Sequence, residues 1–142
     1  MGHAMTEQPA LDRDYVGFAT SLGSARADVA LWLTHRGADE EAVQRAALIV
    51  SELASNALQA TPGGTYHVQV TAVDDGVVTI AVRNRRHGGV PPPRSRWTSS
   101  DVRAPRGRGL SIVEKLSQDM AVWITRNDVT VCARMIVKAT SV

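Results

Sequence analysis

The stretch from Glu40 to Ala60 limits most strongly what this chain can become. Val43, Ala46, Val50, Leu53, Ala54 and Ala57 recur at helical spacing and place one apolar stripe along it. Asp39 is an N-cap residue, and Glu40 and Glu41 suit the positive end of the helix it would start. Pro62-Gly63-Gly64 stops the pattern. A lone helix of this kind is marginal in water, so other parts of the chain must cover its stripe.

Alternating segments supply that cover. Tyr66, Val68 and Val70 alternate with polar residues and predict a strand, and Val78, Ile80 and Val82 predict its return. Asp74-Asp75-Gly76 between them is a hairpin turn with glycine at positive φ. A second hairpin is predicted from Met120, Val122 and Ile124, a turn at Arg126-Asn127-Asp128, and Val129 to Val137. Ser24 to His35, with Ala27, Ala30, Leu31 and Leu33, predicts a first helix that stops at Gly37. A short third helix is predicted from Leu110 to about Asp119. Residues 5–22 have no clear pattern and are expected to be irregular. The expected fold class is α+β, a two-layer α/β sandwich with a mixed, mostly antiparallel sheet and helices on one face.

The 142 residues suit one domain. Met1 to Ala4 read as an expression remnant, so residues 1–19 are set apart and 20–142 are taken as the domain. No secretory signal is seen at the start and no apolar run approaches a membrane span. One cysteine, Cys132, permits no internal disulfide and fits a reducing compartment, so a cytoplasmic location is expected. Neither Cys132 nor the four histidines form a metal-ligand spacing.

Charge is unevenly placed. Fourteen of the sixteen basic residues are arginine, and eight lie between Arg83 and Arg108, where Asp101 is the only acid. Residues 85–106 have no periodicity and read as a long loop, the kind that serves as a lid or binding loop. A basic loop could also meet nucleic acid, but Trp97 is its only aromatic and stacking platforms need more. No nucleic-acid partner and no membrane are expected.

Three places could carry chemistry. Glu52 and Asn56 stand four apart on one helical face, off the apolar stripe. An amide oxygen suits Mg²⁺, and a carboxylate can take a proton from a hydroxyl. Gly107-Arg108-Gly109 precedes the predicted third helix, where free N–H groups and the helix dipole attract phosphate. The Arg-rich loop is the third place.

In this order the residues resemble a known family. Ser51-Glu52-Leu53-Ala54-Ser55-Asn56-Ala57-Leu58 resembles the N box of the ATPase superfamily that joins gyrase, histidine kinases, heat-shock chaperones and mismatch-repair proteins. Arg106-Gly107-Arg108-Gly109-Leu110-Ser111-Ile112-Val113 resembles its second glycine box. Val82-Arg83-Asn84, with Gly88-Gly89-Val90-Pro91, occupies the place of the first. The likeness spans residues 20–138, and the short length resembles the stand-alone anti-sigma-factor serine kinases. The resemblance implies a Bergerat ATP-binding fold of the GHKL type, with ATP and Mg²⁺ as cofactors. It implies Glu52 as general base and Asn56 as Mg²⁺ ligand. Asn84, Gly89, Arg106, Gly107, Arg108, Gly109, Leu110 and Thr130 would contact nucleotide. It further implies transfer of phosphate to Ser or Thr of an anti-anti-sigma (STAS) partner, regulation of a sigma factor, and a possible homodimer. The first box departs from its usual Asp-x-Gly-x-Gly. Asn84 can accept a hydrogen bond from the adenine amino group only as a neutral acceptor, which is worth roughly a tenfold loss in ATP affinity. A degenerate, non-catalytic protein-binding module is the alternative that this departure suggests.

Overall fold

The computed structural model describes residues 9–61, 63–74, 76–85 and 105–137. The elements run β1 (Pro9–Val16), α1 (Thr20–His35), α2 (Glu40–Ala60), β2 (Thr65–Asp74), β3 (Val77–Arg85), α3 (Pro105–Leu116), β4 (Asp119–Ile124) and β5 (Asp128–Ile136). The five strands form one sheet in the order β1-β2-β3-β5-β4. All four pairings are antiparallel, so the parallel component expected in a mixed sheet is not seen among the described residues.

Alternation decides which side of the sheet meets the helices. Val78, Ile80, Val82 and Asn84 of β3 face inward, as do Val129, Val131, Ala133 and Met135 of β5. Against them lie Ala46, Ile49, Val50, Leu53 and Ala57 of α2, all buried. The Asp39 carboxylate caps α2 by accepting from the Ala42 N–H at 2.9 Å. Gly37 and Gly76 take the positive φ values, 84° and 79°, that the helix stop and the first hairpin require.

Two segments depart from the sequence reading. Residues 9–16, expected to be irregular, form β1 on the edge of the sheet beside β2. Tyr15 stacks on Tyr66 at 5.6 Å, and its hydroxyl donates to Asp28 of α1 at 2.6 Å. Tertiary pairing thus orders a segment whose own pattern is weak. α1 starts at Thr20 rather than Ser24 and buries Ala25, Val29 and Leu33. Leu31, assigned to the apolar stripe, is instead exposed. The buried set recurs every four residues and so forms one face of the helix.

Candidate nucleotide site

Glu52 and Asn56 lie in the second half of α2. Four residues separate them, about 6 Å of helix rise. Both are half-buried. The Asn56 Oδ1 is fully buried and has no hydrogen-bond partner among the described residues. Leaving a buried amide oxygen unpaired costs about 1–3 kcal/mol. Such an orphan, like the Arg45 Nε and the Ser117 Oγ, leaves an acceptor or donor open to water, an ion or a ligand. No hydrogen bond or ion pair involves the Glu52 carboxylate among the described residues.

α3 supplies the second wall. A groove of about 480 Å³ is lined by Glu41, Arg45 and Leu48 of α2 and by Lys115 and Leu116 of α3. The end of α3 therefore sits beside the first half of α2. The 12 residues of α3 span about 18 Å. The helix begins at Pro105, not after Gly109, so Gly107-Arg108-Gly109 forms its first turns rather than a separate loop. Proline suits the first helical position, where its missing N–H leaves nothing unpaired. The N–H groups that follow it lack intrahelical acceptors and point out of the helix end. Leu110, Ser111 and Val113 anchor this helix in the core. The side chains of 105–109, including those of Arg106 and Arg108, lie outside the described residues. So does the stretch 86–104, with Gly89 and Trp97.

Asn84 closes the third side, at the end of β3 where the sheet meets the C-terminal end of α2. It is buried on the inward face. Its Nδ2 donates to the Arg85 carbonyl at 2.9 Å and to the Thr61 hydroxyl at 3.2 Å. A carboxylate could not donate to the Arg85 carbonyl, though it could accept from the Thr61 hydroxyl. Sequence reasoning had no signal for Thr61, because a threonine before Pro-Gly-Gly is an ordinary helix end.

Thr130 is not brought to this site. It pairs with Arg83 and Trp123, on the outer face of the sheet. Val129, opposite Asn84, takes the inward position. The expectation that Thr130 reaches the adenine side is corrected by this register, since a one-residue offset reverses the face. A polar cavity of about 380 Å³, lined by Asp14, His67, Arg83, Asn84, Arg85 and Asp128, opens at this end of the sheet.

An antiparallel five-stranded sheet with three helices defines an α+β class. The family model of the histidine kinase-like ATPase domain matches residues 19–137, and the chain belongs to that family. No curated protein matches the sequence. Among solved structures the chain is similar to the SiaB–SiaC complex from Pseudomonas aeruginosa. There the TM-score is 0.67 and identity 10%, over 88% of this chain and 89% of that one. It is also similar to the RsbU and RsbW domains of Rv1364c from Mycobacterium tuberculosis. That match has a TM-score of 0.62 and 15% identity over 89% of this chain, but spans only 32% of the other. These likenesses concern the fold. Among the described residues no group of His, Cys, Asp and Glu could hold a metal by itself, and no helix is long and apolar enough to cross a membrane.

Proposed function

We propose that this protein binds Mg-ATP between α2, α3 and the end of β3, and transfers the γ-phosphoryl group to a Ser or Thr of a STAS-type partner. In doing so it would control a sigma factor by partner exchange in the cytoplasm. The observation that carries the reading is the buried, unpartnered Asn56 Oδ1 in the N-box position, in a chain of the histidine kinase-like ATPase family. A hard oxygen donor fits Mg²⁺, which keeps most of its shell as water and phosphate oxygen and so needs few protein ligands. When bound, that ion would neutralise phosphate charge.

The chain's own groups would do the rest. Asn56 would offer Oδ1 to the ion. The first free N–H groups of α3, that of Gly107 among them, would hold phosphate oxygens, Gly109 would let phosphate approach the backbone, and Arg106 and Arg108 would add charge. Leu110, buried beneath them, would fix the helix start. Asn84 would accept from the adenine amino group, and Gly89 would lie in the loop over the nucleotide. Glu52 would take the proton of the acceptor hydroxyl as its oxygen bonds to the γ-phosphorus and the bond to ADP breaks. Positioning and charge neutralisation supply most of the catalysis in such transfers. The SiaB structure is of a complex with SiaC, which supports a protein acceptor for this chain too.

The test is calorimetric titration with ATP, with and without Mg²⁺, followed by a transfer assay on STAS proteins. Glu52→Ala is expected to abolish transfer while ATP still binds. Asn56→Ala is expected to weaken Mg-ATP and leave the fold intact. Phosphorylation retained by the Glu52 variant removes that residue from the role. Absence of binding up to millimolar ATP overturns the kinase reading and leaves a protein-binding module.

A further inference from the structure

The face of the sheet turned away from the helices carries charges that the nucleotide reading does not use. Side chains alternate along β3, so with Val82 and Asn84 buried on the inward face, Arg83 and Arg85 stand on the outward one. Arg83 lies between His67 of β2 and Thr130 of β5, and Arg85 lies opposite Asp128 of β5. About 7 Å of strand separates the two arginines. Both are exposed, and both line the polar cavity of about 380 Å³ at this end of the sheet, as do Thr65, His67 and Asp128. That volume falls within the range of pockets that hold small ligands.

The two guanidinium groups have no anion. Neither makes a hydrogen bond or an ion pair among the described residues. The acid in register with His67 is Asp14, and its Oδ1 is 2.7 Å from His67 Nδ1. The other ring nitrogen, Nε2, contacts Asp12. His67 thus draws both of these β1 carboxylates to itself. Asp128, the remaining acid of the cavity, forms no ion pair among the described residues, although Arg85 is its register partner. Two like charges close together on one face repel each other, and an oxyanion held between them would turn that repulsion into attraction.

We propose that this cavity is an oxyanion site for a phosphate group, held by Arg83 and Arg85 with the Thr65 hydroxyl as a further donor. Guanidinium groups present paired N–H donors that match phosphate oxygens. A phosphate monoester carries roughly −1.5 to −2 charge at neutral pH, which matches two guanidiniums, whereas a carboxylate matches one. The same group is offered by free phosphate and by a phosphorylated side chain of another protein. Asp128 acts in the opposite sense to the arginines, because its carboxylate repels the ligand. The inference does not rest on the proposed nucleotide site.

NMR titration of the full chain at constant ionic strength tests it. The probes are inorganic phosphate, the tripeptide Ala-phosphoserine-Ala and the same peptide without its phosphate. Phosphate and the phosphorylated peptide should both shift the amides of Thr65, Arg83 and Arg85, and the plain peptide should shift none of them. Tighter binding of the phosphopeptide than of phosphate assigns the site to a protein-borne group, and the reverse assigns it to a free one. Arg83→Gln and Arg85→Gln should each weaken binding about fivefold, the upper end for exposed charge pairs. Asp128→Asn should tighten it about twofold. Both arginines are exposed, so their variants should unfold at the parent's midpoint. Shifts confined to α2 and α3, equal shifts from sodium chloride, or an affinity that both glutamine variants leave unchanged overturn the proposal.

Discussion

The Asn84 side chain has one job in the fold and another in the proposed function, and the two pull in different directions. As a base acceptor it would be better charged, since hydrogen bonds to charged groups are worth roughly 1.5–3 kcal/mol against about 1 for neutral ones. As a structural donor it must carry an NH₂ group, because the Arg85 carbonyl sits 2.9 Å away. Asn84→Asp is therefore expected to lose the bond to that carbonyl and to set a carboxylate against it. The expected cost is about 1–3 kcal/mol, since buried polar groups are left unpaired. A drop in the midpoint of thermal unfolding checks this, and an unchanged midpoint would show that the loop relaxes. Glu52 and Asn56 present the opposite case. Their spacing is legible in the sequence as one helical face. That Asn56 Oδ1 is buried without a partner is visible only once α2 is packed.

Elements near the site are set by close backbone approach as much as by periodicity. The turn between β1 and α1 lies against the turn between α2 and β2. A Cβ added at Gly17 would lie 2.5 Å from the Gly64 carbonyl oxygen and 3.1 Å from that of Thr61. Both obstacles are backbone, so a side chain cannot simply move aside. Gly17→Ala is expected to destabilise the fold by about 1–3 kcal/mol, as overpacking does. The midpoint of urea unfolding should fall without a change in slope. The elements read most readily from sequence were α2 and the two hairpins, because their periods are strong and their turns carry Gly, Asn and Asp. β1 was missed because its order comes from pairing with β2 and from the Tyr15–Tyr66 stack. The start of α3 was missed because two glycines argue locally against helix, while burial of Leu110 and Val113 argues for it.

At the scale of the whole molecule, burial raises the pKa of three weak acids among the described residues. Burial pushes the Cys132 thiol up to about 11. It also raises Tyr66, and raises Tyr15, where the hydrogen bond to the Asp28 carboxylate adds to the effect. In each case the folded state keeps its proton after the unfolded chain has lost it. The unfolded chain then binds fewer protons, so stability falls as pH rises. The contribution from Cys132 is full below the ordinary thiol range and is lost as pH rises through about 11. Urea unfolding at pH 8 and pH 10.5 should show lower stability at the higher pH, with a smaller drop in Cys132→Ala. An equal drop in both proteins would remove the thiol from the effect.

The sequence alone determined the α+β class, the helix that bears Glu52 and Asn56, and the order of the boxes along the chain. These follow from local rules of period, capping and turn chemistry, which a few neighbouring residues can satisfy. Tertiary structure alone decided that the sheet has a fifth strand at its β1 edge. It also put Thr130 on the far face and gave the Asn84 amide to Thr61 and the Arg85 carbonyl. Those outcomes depend on register and on contacts between segments distant in the chain. A one-residue shift in pairing turns a side chain to the other face, and no local pattern records which partner waits there.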